Sequence, residues 1–394
     1  MIPVDEALAR VIAAARPLGI ETLPLAAARG RVLAADMHAQ HPLPLFTQSA
    51  VDGYAVRQAD LATLPCTLPL AEPIAARAQP AHPVLAPGMA ARILTGGLLP
   101  LGADTVVRQE RTTHNERSVS VLEAVAIGTD IRTLGEEMPA GSKVAMAGQV
   151  VTPGLIGALA LAGVAQLAVW KLPRIVVLVS GDEVVRDGGP LQLGQVPDAN
   201  GPLLQAYLSE WGIPPLRIEP VADTAEAVRA AMARAFADAD VVLTTGGVSV
   251  GDHDYIPSVA ESLGAERLLW KVAQKPGMPL YVARREGVLL FGLPGNPASV
   301  LVNLIVYVRA ALDAMQALDP ALRWQPTTLA EAPRADREKT LWLRAGTDER
   351  GAMQLLGGQA SHMLGNLAQA TALLRVPPAG PLPQPGGIRA CALR

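Results

Sequence analysis

Between residues 173 and about 320 the sequence alternates two periodicities, and this alternation restricts the fold more than any other feature of the chain. RIVVLVS, PLRIEPV, DVVLTT and GVLLFG are short apolar runs of β-type residues. GPLLQAYLSEWG, TAEAVRAAMARAFAD and SVLVNLIVYVRAALDAM carry apolar positions at helical spacing, the first ending at Gly212. Apolar strands separated by helices predict a parallel α/β sheet with right-handed crossovers.

The flanking regions read differently. Residues 1 to about 40 predict two helices. Residues 41 to about 140 are rich in Pro, Gly and short β runs such as ADTVVRQE and SVSVLEAV, the mark of a β-rich domain with many turns. Residues 321–394 return to β in TLWLRAG, MQLLGG and TALLRVP, and PPAGPLPQPGG reads as a loop. One apolar run, VVTPGLIGALALAGVAQLAVW (150–170), is nearly long enough to cross a membrane. Thr152-Pro153 reads as a helix cap and first turn, and Gly163 as a stop, so a short buried helix followed by a strand is expected instead.

Charge and cysteine usage exclude some classes. The net charge is -3 and there is no basic block of the kind nucleic-acid binding requires. The two cysteines, Cys66 and Cys391, lie near opposite ends and form neither a disulfide framework nor a zinc site, which suits a reducing cytoplasm. The N-terminal segment is an amphipathic helix carrying Asp5, Glu6, Arg10 and Arg16 and does not read as a signal peptide.

In open parallel sheets, ligands bind where strands end and helices begin. Three strand exits here carry suitable chemistry. RIVVLVS is followed by Asp182 and Glu183; DVVLTT by GGVSVGDHDY, with Gly246, Gly247, Ser249, Gly251, Asp252 and Asp254; GVLLFG by LPGNPAS, with Asn296 as helix cap and Pro297 at the first helical position. Glycine loops and helix starts expose N–H groups to an anion. Carboxylates beside a phosphate require a cation, and Mg²⁺ bridges one or two carboxylates and substrate phosphates, which makes Glu183 and Asp254 candidate ligands. Each motif has a plainer reading: Asp182 or Glu183 as a helix cap, GGVSVG as a turn, PGNPAS as a helix start. In WKVAQKPGMP, Lys271 and Lys275 either flank an anion or are two solvated lysines. His253, flanked by acids, has no partner His or Cys at ligand spacing. LTGGLLP, with Thr95, reads as a Gly turn after a strand.

Taken together and in order, these motifs resemble the MoeA family of molybdopterin molybdenumtransferases, related to the E domain of gephyrin. The resemblance runs over essentially the whole chain. It includes P-x-F-x-x-S-A-x-D-G-Y-A at Pro44 to Ala55, LTGGLLPLGADTVVRQE, GEEMPAG, SGDE, VPDANGPLL, TTGGVSVGDHDY, WKVAQKPGMP, GLPGNPAS and ASHMLGNLA.

The resemblance implies a multidomain α/β protein of four parts. Residues 1–40 and 141–172 would form an elongated N-terminal/linker domain, and 41–140 a β-rich domain with the DGYA motif. Residues 173–320 would form a MogA-like parallel α/β domain, and 321–394 a C-terminal β-barrel-like domain. The implied activity inserts molybdate into adenylylated molybdopterin and releases AMP, assisted by Mg²⁺. The implied partners are a second copy in a homodimer, a MogA-type adenylyltransferase and the enzymes that mature molybdoenzymes, with no nucleic acid and no membrane. A non-catalytic paralogue that binds the pterin or a protein is the competing reading.

The same matching carries function to Asp52, whose DGYA loop would face the MogA-like domain, with Tyr54 and Phe46 packing to hold that loop. It extends to Thr95, Arg132, Glu183, Asp223, Asp254, Lys271, Lys275, Pro294 and Pro297. For molybdate it implies Lys275, Ser299, Arg344 and Ser361, the N–H, O–H and cationic donors that a tetrahedral dianion needs. Three positions depart from the family pattern: Thr47-Gln48, Glu137, and Met278 where a second lysine is usual. Loss of that cation predicts weaker molybdate binding by roughly 1.5–3 kcal/mol.

Overall fold

The computed structural model describes all residues except 187, 249–253, 328, 330–332, 350–351, 380–388 and 394, together with the side chain of Leu322. The chain divides into two compact units: residues 1–21, 30–32 and 169–394 form one, and 22–29 and 33–168 the other.

The first unit is built on a six-stranded sheet. Its strands are β1 (Ile175–Ser180), β2 (Arg217–Val221), β3 (Val241–Thr245), β4 (Glu266–Trp270), β5 (Tyr281–Arg285) and β6 (Val288–Leu293), in the order β2-β1-β3-β6-β5-β4. β2, β1, β3 and β6 are mutually parallel, as the alternation predicts. β5 runs antiparallel to both β6 and β4, so the sheet is mixed and not purely parallel. Glu286 and Gly287, both at positive φ (51° and 93°), form the two-residue connection between β5 and β6. Such a turn matches strand twist and joins antiparallel neighbours.

Both faces of the sheet are covered, which explains the unbroken apolar runs. Ile175, Val177 and Val179 face one core, with Leu204, Leu208 and the helix pair Pro297–Asn303 and Arg309–Met315. The N-terminal helix Val4–Ala14 adds Val4, Ala7 and Val11 to that core. Val176 and Leu178 face the other core, with helix Ala225–Asp238 and its Val228, Met232 and Phe236. Fully burying one such aliphatic side chain stabilises by about 1.5–3 kcal/mol. The segment Pro297–Met315 is the one described helix long and apolar enough to cross a membrane, and most of it is buried inside this unit. A π-turn at Leu304–Val308 interrupts it.

A second sheet completes this unit. Gln274–Lys275 pairs in parallel with Thr340–Thr347, which is followed by Ala372–Val376, Arg389–Ala392 and Gln325–Pro326. Met353–Leu355 pairs with Thr340–Thr347 off this path. Among the described residues the sheet is open, so the barrel-like expectation is corrected to an open sheet. The PPAGPLPQPGG loop lies largely outside the described residues.

The second unit is β-rich, as its composition predicts. One antiparallel sheet orders Ala91–Ile93, Gly53–Val56 and Thr105–Arg108; another orders Cys66–Pro69, Ser118–Val121 and Thr112–His114. The apolar run at 150–170 forms helix Pro153–Leu161 and then strand Gln166–Trp170. Thr152 Oγ1 caps the helix by accepting from the Leu155 N–H at 3.2 Å. The two helices expected in residues 1–40 are not both present. After Val4–Ala14 the chain forms strand Ile20–Pro24 and a 3₁₀ turn, because Pro17, Gly19 and Pro24 interrupt helical propagation.

Candidate functional site

The C-terminal ends of β1, β2, β3 and β6 open onto a cleft of about 720 Å³. The strand exits are tied together by the backbone. Ser180 Oγ donates to Thr245 O at 2.9 Å, and Gly246 N–H donates to Leu293 O at 3.0 Å. Gly246 has φ +84°, and a Cβ there would sit 2.8 Å from Ser180 Oγ, so this position tolerates only glycine.

Glu183, Asp223, Asp254, Gly246, Gly247, Asn296 and Pro297 all line this cleft. Ser249 lies outside the described residues, as do Gly251, Asp252 and His253. Neither Asp182 nor Glu183 caps a helix: a short strand at Val184–Val185 follows them. Asp182 and Asp223 accept reciprocally from each other's backbone N–H, at 3.2 and 3.3 Å. Asp223 is not the cap of its helix either; Thr224 is, accepting from Ala227 N–H at 3.2 Å. Burial pushes the Asp223 pKa up, and the nearby Asp182 and Glu183 charges add to that shift. This clustering of carboxylates suits a cation that arrives with a phosphate. Among the described residues no group of three or more His, Cys, Asp or Glu is disposed to hold a metal ion alone. Mg²⁺ needs no such group, since it takes one or two carboxylates and substrate phosphates.

Asn296 occupies the helix-cap position but makes no side-chain cap bond. Its Nδ2 points to Ser361 Oγ at 3.5 Å. Asn296 also lines an adjoining pocket of about 370 Å³, with Lys275, Met278, Pro294, Ser299, Ser361, Asp336 and Lys339 among its walls. Of the residues matched to molybdate, Lys275, Ser299 and Ser361 are therefore together.

The wall behind Lys275 is a buried neutral network. Gln274 donates to Gly277 O and to Asn303 Oδ1, each at 2.8 Å. Its Oε1 accepts from Tyr307 OH at 2.7 Å and from Trp342 Nε1 at 2.8 Å. Every polar atom of the Gln274 side chain is thus satisfied, which fixes the residues beside it.

Arg344 stands apart from this lining. It is 1% exposed. Its Nη2 donates to Gly358 O at 2.5 Å and its backbone N–H to Gln359 Oε1 at 3.0 Å, so it supports the loop that carries Ser361. Burial lowers its pKa. Lys271 lines neither cavity; it holds a left-handed backbone (φ 68°) with Nζ 5.2 Å from the Trp270 ring centre. The Trp270 indole in turn donates to Val248 O at 3.1 Å, bracing the loop after β3.

In the other unit, Asp52 Oδ1 accepts from both the N–H and the Oγ1 of Thr95, each at 2.8 Å. These bonds, the backbone one first, hold the Asp52 carboxyl below its usual range, with Arg92 adding to the effect. Gly53 must be glycine, since a Cβ would lie 2.2 Å from Val107 O. Tyr54 is buried against Arg92, whose guanidinium lies 5.0 Å from the ring centre. Phe46, expected to pack beside it, is 39% exposed, so Tyr54 alone of the two anchors the turn. Arg132 is exposed on strand Ile131–Arg132, paired with Gln48–Ser49.

Several lining residues carried no assigned role in the sequence. His362 and Leu364 reach the cleft from ASHMLGNLA. Asn200, from VPDANGPLL, donates to Gly295 O at 2.8 Å and joins two cleft walls. Both segments were visible as motifs, but nothing in their local pattern placed them at the strand exits.

Comparisons with known proteins bear on the family and the fold. The family description "MoeA N-terminal region (domain I and II)" matches residues 2–163, and "probable molybdopterin binding domain" matches 176–314. Molybdopterin molybdenumtransferase 2 of Mycobacterium tuberculosis is 36% identical over 384 residues, covering 94% of this chain and 93% of its own. Molybdopterin molybdenumtransferase of Nostoc sp. is 34% identical over 380 residues, covering 91% and 85%. A crystal structure of the molybdopterin biosynthesis MoeA protein from Pyrococcus horikoshii superposes with a TM-score of 0.80 at 25% identity, covering 100% of this chain and 99% of that one. On these matches the chain belongs to the molybdopterin molybdenumtransferases, transferases of molybdenum cofactor biosynthesis.

Proposed function

We propose that the chain inserts molybdate into adenylylated molybdopterin and releases AMP. The observation that carries this reading is the pair of adjoining cavities that share Asn296. One is lined by Glu183, Asp223 and Asp254 and suits the phosphate end of the substrate. The other is lined by Lys275, Ser299 and Ser361 and suits a tetrahedral oxyanion.

Gly246, Gly247 and Ser249 would cradle phosphate oxygens, with Asn296 and Pro297 at the helix start beside them. Mg²⁺, when bound, would be held by Glu183 and Asp254 and would neutralise phosphate charge. Asp223 positions Asp182 and the β1 exit through their reciprocal bonds. Lys275, Ser299 and Ser361 would hold molybdate, Pro294 would shape the pocket wall, and Arg344 would fix the loop bearing Ser361. Lys271 and Arg132 are assigned to substrate binding, and Asp52, oriented by Thr95, to catalysis. The four-domain division, a homodimer, a cytoplasmic location, and a MogA-type adenylyltransferase as supplier of substrate belong to the same reading. The two free thiols, Cys66 and Cys391, suit such a location.

The test is single-turnover AMP release from adenylylated molybdopterin with Mg²⁺ and a molybdate titration, alongside Asp52→Ala. Molybdate-dependent release that the variant lacks supports the reading. Substrate binding without AMP release at any molybdate concentration would replace it with the non-catalytic paralogue.

A further inference from the structure

The cleft and the pocket meet at a partition made of two segments. Asn296 lines both cavities, and its Nδ2 lies 3.5 Å from Ser361 Oγ. Ser361 lines the pocket, and the next residue, His362, lines the cleft. One turn thus sets consecutive residues in the two cavities.

The loop that carries this turn is held at several points. Gln359 Nε2 donates to Leu356 O at 2.7 Å and to Arg344 O at 2.8 Å. Asn366 Nδ2 donates to Gly358 O at 3.1 Å, and Met363 N–H donates to Ala360 O at 3.0 Å across the turn itself. The backbone at His362 is therefore braced. Its ring is exposed and makes no hydrogen bond or ion pair among the described residues. A solvated surface histidine would explain the exposure but not the placement at the wall of the cleft.

The other ionisable residues of that wall are acids: Glu183, Asp198, Asp223 and Asp254. Asp198 is already engaged, accepting from Arg186 Nε at 3.0 Å and from Gly201 N–H at 2.8 Å. No lysine or arginine is among the described residues that line the cleft. Across the partition lie Lys275, Lys339 and Asp336, which line the pocket. His362 is then the one described lining residue of the cleft able to carry positive charge. Histidine is also the side chain whose charge changes near neutral pH.

We propose that His362 is a phosphate-contact residue of the cleft, its protonated imidazole donating a hydrogen bond to the diphosphate of the adenylylated substrate beside Asn296. This rests on the reading of the cleft as the phosphate site. The contact holds the diphosphate at the partition, next to the pocket assigned to molybdate.

The probe is diadenosine diphosphate, which is esterified at both ends. It lacks the ionisation near pH 6 of a phosphate monoester, so its charge is constant from pH 6 to pH 8. Its binding to the full chain in Mg²⁺ is measured by calorimetry at both pH values, with thermal unfolding as the check on folding. The parent is expected to bind about 5-fold or more tighter at pH 6 than at pH 8. His362→Gln is expected to lose about 10-fold at pH 6, the effect of one charge-assisted hydrogen bond, and to bind alike at both pH values. His362→Lys is expected to bind tightly at both, which a merely structural role would not produce. A folded His362→Gln that keeps the parent's affinity at pH 6 overturns the proposal. So does one that keeps the pH dependence, which would then belong to Glu183, Asp223 or Asp254. A parent that binds no diphosphate at millimolar concentration overturns the reading of the cleft and this contact with it. If binding depends on His362 as expected but no form of the protein releases AMP, the proposed activity fails while the contact stands.

Discussion

The two cavities share a wall at Asn296 and are built on opposite principles. The cleft gathers acids on backbone loops at strand exits, where Asp223 is pushed toward its neutral form by burial and by Asp182 and Glu183. The pocket takes Lys275 from a ladder strand, Ser299 from a helix and Ser361 from a turn, and behind Lys275 lies a closed network of neutral groups around Gln274. A cation bound in the cleft would offset the cost of keeping the Asp223 carboxylate charged there. The pocket has no such cost in its backing and takes its precision from neutral hydrogen bonds. On the proposed reading, charge would decide what the first binds, and rigidity how well the second holds its ligand.

The largest test of this contrast removes charge from the cleft. Glu183→Gln and Asp254→Asn are each expected to slow single-turnover AMP release about 100-fold or more, equivalent to about 2.7 kcal/mol of barrier. Both are expected to leave molybdate binding within about 2-fold. Rates that stay within about 3-fold of the parent would mean that the cleft acids do not serve the chemistry, and the contrast would fail.

The next effect belongs to the pocket. Gln274→Leu strands the Tyr307 hydroxyl, the Trp342 indole N–H and the Asn303 amide oxygen without their partner. Each buried unsatisfied group costs about 1–3 kcal/mol. A loss of about 3 kcal/mol or more in urea unfolding is expected, together with weaker molybdate binding, since residues 275–278 lose their backing. A variant that keeps its stability but loses molybdate would show that the network tunes the site without holding the fold.

How much of this was legible in the sequence differs by element. The four parallel strands were: β1, β3 and β6 are buried on both faces and read as apolar runs, and β2, a partly buried edge strand, reads as a short β-type run between two helical segments. β4 and β5 were not. β4 lies at the sheet edge with only Leu269 fully buried, so ERLLW carries little periodic signal. The hairpin turn uses Glu286 in place of the usual Asn or Asp before glycine. The cleft acids could be read locally because strand exits are predictable positions. Lys339 and His362 could not, because pairing between Gln274–Lys275 and Thr340–Thr347, and the loop beyond it, is a long-range outcome that no local pattern encodes. Phe46 misled for the converse reason: its neighbourhood in sequence to Tyr54 did not become a shared core.

The smallest effect separates the two cavities by sign. Asp223 has its pKa raised above the ordinary value of 3.8 in the folded protein, chiefly by burial. A carboxyl shifted upward favours folding when protonated, and that contribution is lost as pH rises through the folded pKa. At pH 7 this upward shift therefore weighs against the native state. Asp336 in the pocket has its pKa lowered from 3.8, first by the N–H of Glu338 and then of Lys339, with Lys339 and Lys275 nearby. Its contribution is present above the unfolded pKa and is lost as pH falls through the folded one. Asp223→Asn is thus expected to raise Tm at pH 7, and Asp336→Asn to lower it. The Asp223 difference should shrink as the pH falls through its raised folded pKa toward 3.8, and the Asp336 difference only as the pH falls from 3.8 through its lowered folded pKa, below which that carboxyl is protonated in both states. The Asp223 gain should come with slower AMP release, since the group that strains the fold also positions the β1 exit. If both variants move Tm in the same direction at pH 7, the acidic cleft is not electrostatically strained relative to the pocket, and the contrast rests on rigidity alone.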